Sequence, residues 1–160
     1  MAVVLLSVIW IWKVVEIRDI KNAAKRDRQN LKEDAIIKIV QSHEENLKSL
    51  AKAYVWAVRT QMMQGDINQV NLYALDLIKE KNFLQIAIAN ESGIIISSTN
   101  KKEEGKPFTS IGLASTLNNN NTIVENKGDS ILIVTSPVMG FNKRLGTLLI
   151  KYAVQTPAFK

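Results

Sequence analysis

The sequence predicts an α+β domain in which a five-stranded antiparallel sheet is preceded by a long N-terminal helix and a second helix. Two observations support this fold class. Up to about residue 81, apolar residues recur at spacings of three and four, which is the period of an amphipathic helix. Beyond that point, short runs rich in Ile, Val, Leu and Thr alternate with turn residues, as strands do.

The long helix is expected to reach residue 64, because residues 13–64 contain no Gly or Pro and many strong helix formers. Its apolar stripe consists of residues spaced alternately by four and three: Ile36, Val40, His43, Leu47, Leu50 and Tyr54. Such a stripe indicates either pairing with a second copy, which would give a homodimer, or packing on the chain's own sheet. The sequence leaves both interpretations open.

A second helix is expected to begin directly after the first. Gly65 is suited to cap the C-terminus of the long helix. Asp66, followed by Gln69, forms a pair like that of a capping box and marks a new helix start. Apolar residues at helical spacing then continue through about Lys81.

Five strands and one small helix account for the rest of the pattern. The predicted strands are FLQIAIAN, GIIISST, NTIVEN, DSILIVTSPVM and LGTLLIKYA. Ser92-Gly93 and Lys127-Gly128-Asp129 carry hairpin-turn chemistry. The small helix is expected at TSIGLASTL, between the second and third strands.

The N-terminal segment MAVVLLSVIWIW contains no charge and ends in tryptophans that suit a membrane interface. Residues 1–17 are therefore expected to form a membrane anchor that contacts the lipid bilayer, either as a transmembrane helix whose beginning is missing from this chain or as a short signal anchor. A buried apolar helix start is the alternative. Basic residues follow the apolar run, and on their own they would place that side in the cytoplasm.

Composition narrows the classes of partner and chemistry. The net charge is +6, but residues 1–60 hold 11 Lys and Arg against 7 Asp and Glu, so the excess lies beside the apolar segment. A juxtamembrane basic stretch explains this better than nucleic-acid binding, which is not expected. The chain has no cysteine, which excludes disulfides, thiolate metal sites and cysteine nucleophiles.

No catalytic or metal-binding grouping is recognisable, so an enzyme is not expected and neither is a cofactor. His43 is the only histidine and belongs to the apolar stripe, where a helix-seam or core role is the simplest interpretation. No phosphate-binding loop or nucleophile-elbow pattern occurs. The neighbouring carboxylates Glu103 and Glu104 fall in a polar loop and are interpreted as solvated charge.

The stretch QIAIANESGIIISSTNKKEEGKPF resembles the opening hairpin and loop of the PAS-like sensor folds called single Cache or PDC domains. SILIVTSPVM and LGTLLIKYA resemble the closing hairpin of that family. The resemblance covers about residues 30–155. It implies a PAS-like sheet, an extracytoplasmic position in a bacterial receptor, and a role in binding small organic ligands or holding dimers together. The arginine and aromatic signature of its amino-acid-binding members is not recognisable here.

These inferences predict a membrane anchor at residues 1–17, a juxtamembrane and dimerisation helix at residues 18–64, and a PAS-like sensor domain at residues 65–160. The expected function is that of a membrane-anchored, non-enzymatic sensor that signals through the long helix, with its domain in the periplasm. The alternative is a cytoplasm-facing interaction or assembly module of roadblock or longin type.

A ligand in a PAS-like fold is expected between one face of the sheet and the loops that cover it. Polar or cationic residues able to face such a pocket are Ser97, Thr99, Lys106, Thr135, Ser136, Arg144 and Tyr152. Successive strand residues point to opposite faces of a sheet. Only one of Thr135 and Ser136 is therefore expected to point inward.

Overall fold

The computed structural model describes residues 2–128 and 130–155, without the side chains of residues 2–12, 14–20 and 23. These residues fall into two compact units, one of helical residues up to Ile39 and one that starts at Val40. The second unit holds the sheet and the C-terminal part of the long helix.

Helix α1 spans Ala2–Gln64, and helix α2 spans Ile67–Leu77. Gly65 ends α1 with a φ of 74°, a left-handed conformation that glycine adopts without steric cost. The Asp66 carboxylate then accepts the Gln69 backbone N–H at 3.0 Å, which confirms the predicted start of α2. Helix α2 ends at Leu77, short of the predicted Lys81.

The five strands form one antiparallel sheet in the order β2-β1-β5-β4-β3. Their bounds are β1 Phe83–Asn90, β2 Ile95–Ser98, β3 Ile123–Asn126, β4 Ile131–Met139 and β5 Arg144–Ala153. The predicted strands are thus confirmed to within a few residues at each end. Asp129, assigned to the turn between β3 and β4, lies outside the described residues.

One face of the sheet packs against α1 within the second unit. The rings of His43 on α1 and Tyr152 on β5 lie 5.6 Å apart, and Met62 of α1 reaches the backbone of β5 at Gly146. Leu47 of α1 is buried in this layer, as is Val58. The stripe of α1 therefore packs on the chain's own sheet here, which is the second of the two interpretations that the sequence left open.

The other face is covered by the connection between β2 and β3, residues 99–122, called the cap segment below. Its anchor is Phe108, which is fully buried against Ala89 of β1 and Leu149 of β5. The small helix predicted within this segment is wrong. Two short 3-10 helices, Phe108–Ser110 and Ala114–Asn118, stand in its place, with Gly112 between them.

The break at Gly112 has a steric reason. A Cβ atom at this position would lie 2.5 Å from the Phe108 ring, so only glycine lets the backbone pass over that ring. The two 3-10 helices thus leave the backbone at Gly112 in close contact with the buried Phe108 ring.

No helix among the described residues combines the length and the hydropathy needed to cross a membrane. The anchor predicted at residues 1–17 depends on side chains that lie outside those the structure describes, with the exception of Lys13.

Candidate functional site

A cavity of about 170 Å³ lies between the cap segment and the β3–β4 hairpin. The cap segment and the hairpin contribute four lining residues each: Thr109, Ile111, Gly112, Leu113, Glu125, Lys127, Ile133 and Thr135. The cavity is on the sheet face opposite α1, because Ile133 also packs on the Phe108 cluster.

Thr135 is the distinctive group of this cavity. Its side chain is only 3% exposed, yet its hydroxyl has no hydrogen-bond partner among the described residues. Leaving a buried hydroxyl unpaired costs roughly 1–3 kcal/mol, and most proteins avoid it. A polar ligand group that reached this hydroxyl from the cavity would supply the missing partner.

A charged pair lies at the same cavity. The Glu125 carboxylate on β3 and the Lys127 ammonium group just after it are 4.0 Å apart. At this separation and with partial exposure the pair adds little to stability. Its two side chains can therefore turn toward a ligand at small cost, offering one positive and one negative charge beside the Thr135 hydroxyl.

Arg144 fixes the far end of the cap segment to the sheet. Its guanidinium donates hydrogen bonds to the carbonyls of Thr116 at 3.1 Å and Asn119 at 2.9 Å, and to the Thr147 hydroxyl at 3.0 Å. Partial burial lowers the pKa of Arg144 below its ordinary value. Arg144 was predicted to face the ligand pocket, but its guanidinium donors are used within the chain here, so a role for Arg144 in binding a ligand stays a prediction.

Glu103 fixes the near end of the cap segment. Its carboxylate accepts hydrogen bonds from the buried Gln85 amide on β1, from the Ser98 hydroxyl at 2.9 Å, and from the Asn100 amide at 2.9 Å. The adjacent Glu104 accepts the Ser98 backbone N–H at 3.0 Å. These two carboxylates are therefore not the solvated loop charges that the sequence indicated.

One feature of the sequence could have predicted the contact between Glu103 and Gln85. Gln85 interrupts the apolar run of β1, and a buried amide requires a partner.

Most of the predicted ligand residues lie elsewhere. Ser97 donates to Asn71 of α2 at 2.7 Å, and Ser136 shares a 2.8 Å hydrogen bond with Thr122. Tyr152 faces α1, where its hydroxyl accepts a hydrogen bond from the Asn82 amide. These three side chains do not line the cavity.

Thr99 and Lys106 also lie outside the cavity lining and make other contacts. The Thr99 hydroxyl accepts the Ile86 backbone N–H at 3.1 Å. Lys106 is exposed, and its carbonyl accepts the Ile95 N–H at 2.9 Å. Of the seven predicted ligand residues, only Thr135 lines the cavity. The expectation that Thr135 and Ser136 point to opposite faces is correct.

The residues of the apolar stripe, which were predicted to form the interface of a homodimer, are largely buried by contacts within the chain. Leu47 is only 4% exposed, and Tyr54 is mostly buried. Burial raises the pKa of Tyr54, whose hydroxyl has no partner among the described residues. Ile36, Val40 and Leu50 are half-buried. A homodimer stays a prediction.

Comparison with solved structures identifies the fold. The chain is similar to the crystal structure of the sensor domain of E. coli DcuS, with 19% sequence identity and a TM-score of 0.51. The match covers 69% of this chain and 90% of that one. The chain therefore has a PAS-like α+β fold. This confirms, at the level of fold, the resemblance to single Cache domains seen in the sequence. No family model and no curated protein matches the chain.

Proposed function

We propose that this chain is the sensor domain of a signal-transduction protein and that it binds a small polar organic molecule beneath the cap segment. The observation that carries this proposal is Thr135, a lining residue of a cavity on the capped face of the sheet, whose buried hydroxyl has no partner among the described residues. The shared fold with the DcuS sensor domain supports the sensor role.

The cavity limits the size and chemistry of the ligand. Its volume of about 170 Å³ is below the roughly 300–1,000 Å³ of sites for drug-sized molecules. Thr135 offers one hydroxyl, Lys127 a positive charge and Glu125 a negative charge, while Ile111 and Ile133 supply apolar walls. A small acid or a small zwitterion fits this combination.

The same lining favours binding over catalysis. His43 lies on the opposite face of the sheet, where its ring contacts Tyr152. The cavity residues therefore combine two threonine hydroxyls with a single carboxylate and no imidazole. A hydroxyl nucleophile needs a positioned base, and the Glu125 carboxylate is instead closest to Lys127. We therefore assign the domain a non-enzymatic role.

A route for the signal follows from the contacts. Arg144 connects the cap segment to β5, and β5 contacts α1 through Tyr152 and Gly146. A ligand that draws the cap segment onto the sheet would act on β5 and then on α1, the element whose two arrangements such coupling requires. An extracytoplasmic position, membrane anchoring and dimerisation belong to this proposal. The roadblock- or longin-like alternative gains no support from the structural likeness.

The test is thermal unfolding of the full chain in a mild non-ionic detergent with a panel of small acids, amines, amino acids and nucleotides. A ligand at about a hundred times its dissociation constant adds roughly 2.7 kcal/mol of stability. For a chain of this length that raises the midpoint by roughly 5–10 °C. Thr135→Val should abolish the shift, whereas Ser136→Ala, altered on the opposite face, should retain it. A shift that survives in Thr135→Val, or a flat panel, contradicts the assigned site.

A further inference from the structure

The second unit presents an aromatic surface that the proposed ligand site does not use. Trp56 on α1 is 77% exposed, and Phe141 in the turn between β4 and β5 is 81% exposed. Met63 on α1 and Met139 at the end of β4 are also exposed. Large aromatic side chains held this far into solvent are uncommon in a monomeric surface and mark interaction sites when they cluster.

These residues form one continuous concave region. A groove of about 510 Å³ is lined by Trp56, Arg59, Met63 and Phe141, among others. A second groove of about 200 Å³ shares Trp56 and Arg59 and extends to Met139. We call the two grooves together the tryptophan–arginine surface. The guanidinium carbon of Arg59 lies 5.1 Å from the centre of the Phe141 ring, so a cation–π contact orients Phe141 without covering it.

The charges of this surface have one sign. Among the residues that the structure describes, Lys52 and Arg59 are the ionisable ones in the linings of the two grooves, and no described Asp or Glu lines either groove. The acidic side chain beside the β4–β5 turn, Glu91, is paired with Lys143 at 3.0 Å. A partner that fills the grooves must therefore bring its own negative charge to pair with Arg59.

Two other occupants fit less well. A second copy on a two-fold axis would place the same cationic patch on both sides of the interface, and like charges brought together are costly. An anionic bilayer matches the charge, but a flat bilayer does not fill two concave grooves.

We propose that the tryptophan–arginine surface binds a segment of another protein in which an acidic residue is flanked by apolar side chains. Trp, Arg, Phe and Met are the side chains enriched at the centres of protein interfaces. The apolar side chains of the partner would fill the grooves beside Trp56 and Phe141, and its carboxylate would pair with Arg59.

The first step of the test is to select, from a displayed library of random peptides, those that bind the full chain. Binding of the enriched peptides to purified variants is then measured by fluorescence anisotropy. Enriched peptides should contain Asp or Glu next to Leu, Ile, Phe or Trp, and should lack Lys and Arg. Trp56→Ser and Phe141→Ser should each weaken binding by about thirtyfold or more, as truncation of an interface hot spot does. Leu72→Ser, which changes an exposed leucine of α2, should leave binding unchanged.

Arg59→Gln should remove the preference for acidic over neutral peptides, with Lys48→Gln on α1 as the matched control. Because all of these side chains are exposed, or half-exposed for Arg59, each variant should keep the unfolding midpoint of the parent chain. The proposal is overturned if no peptide is enriched, if the enriched peptides show no acidic preference, or if Trp56→Ser binds them unchanged. It is also overturned if Trp56→Ser converts a sedimenting dimer to a monomer, or releases the chain from anionic vesicles.

Discussion

Thr135 and Ser136 are consecutive residues of β4 with opposite hydrogen-bonding states, and this provides a paired test of the site. Both side chains are about 3% exposed. The Ser136 hydroxyl is hydrogen-bonded to Thr122 at 2.8 Å, whereas the Thr135 hydroxyl has no partner among the described residues. Removing the two hydroxyls in turn should therefore change the stability of the ligand-free chain in opposite directions.

The expected magnitudes follow from the cost of unpaired polar groups. Thr135→Val keeps the side-chain shape and removes a hydroxyl whose burial costs roughly 1–3 kcal/mol, so the free energy of unfolding should rise by about 1 kcal/mol or more. Ser136→Ala breaks a hydrogen bond worth about 1 kcal/mol and leaves Thr122 unpaired. The two variants should differ by about 2 kcal/mol, which is roughly 4–8 °C in midpoint for a chain of this length.

Urea titration followed by circular dichroism measures both variants against the parent chain. Equal m-values would show that the variants differ in stability and not in the surface exposed on unfolding. If Thr135→Val loses stability as Ser136→Ala does, then the Thr135 hydroxyl is satisfied in the folded chain. The Thr135 hydroxyl would then need no ligand to complete its hydrogen bonding.

Three further predictions concern buried groups on both faces of the sheet. Tyr54→Phe should raise stability at neutral pH by about 1 kcal/mol, since it removes another buried hydroxyl without a partner. Because burial raises the pKa of Tyr54, the folded chain favours the neutral phenol, and stability should fall as pH rises above about 10, the ordinary value of tyrosine. Tyr54→Phe should flatten that fall in alkaline urea titrations, and an unchanged alkaline slope would contradict this cause. Gly112→Ala places a Cβ 2.5 Å from the Phe108 ring and should destabilise the chain by about 1–3 kcal/mol through overpacking; an unchanged urea midpoint would show that the cap segment adapts. Glu103→Ala leaves the buried Gln85 amide unpaired and should cost about 2 kcal/mol, with faster trypsin cleavage after Lys101 or Lys102 under native conditions. Cleavage at the parental rate would mean that Glu103 does not anchor the segment.

The sequence alone determined the fold class, the two N-terminal helices and the five strands, but not the structure of the cap segment. The long helix has no internal Gly or Pro after residue 13, and Gly65 and Asp66 supply the chemistry that ends one helix and begins the next. Short runs of branched apolar residues, bounded by turn residues, predicted the strands. These signals are local, because helix caps, turn conformations and side-chain periodicity depend on residues within a few positions of one another.

The site depends on contacts between residues that lie far apart in the chain. Local sequence patterns do not predict which of these residues meet. Alternation predicted that Thr135 and Ser136 face opposite sides, but not which of the two sides carries the cap segment. The carboxylate of Glu103 meets Gln85 across 18 residues, and Arg144 meets the Asn119 carbonyl across 25.

The folded sheet determines which polar residues pair, because the sequence contains many polar residues of similar type and does not indicate which of them come together. The stripe on α1 shows the same limit. A period of 3.5 residues places His43, Leu47 and Tyr54 on one face of a helix whether the partner is a second helix or a sheet. In the tertiary structure this face packs on the sheet, where Tyr152 of β5 contacts His43.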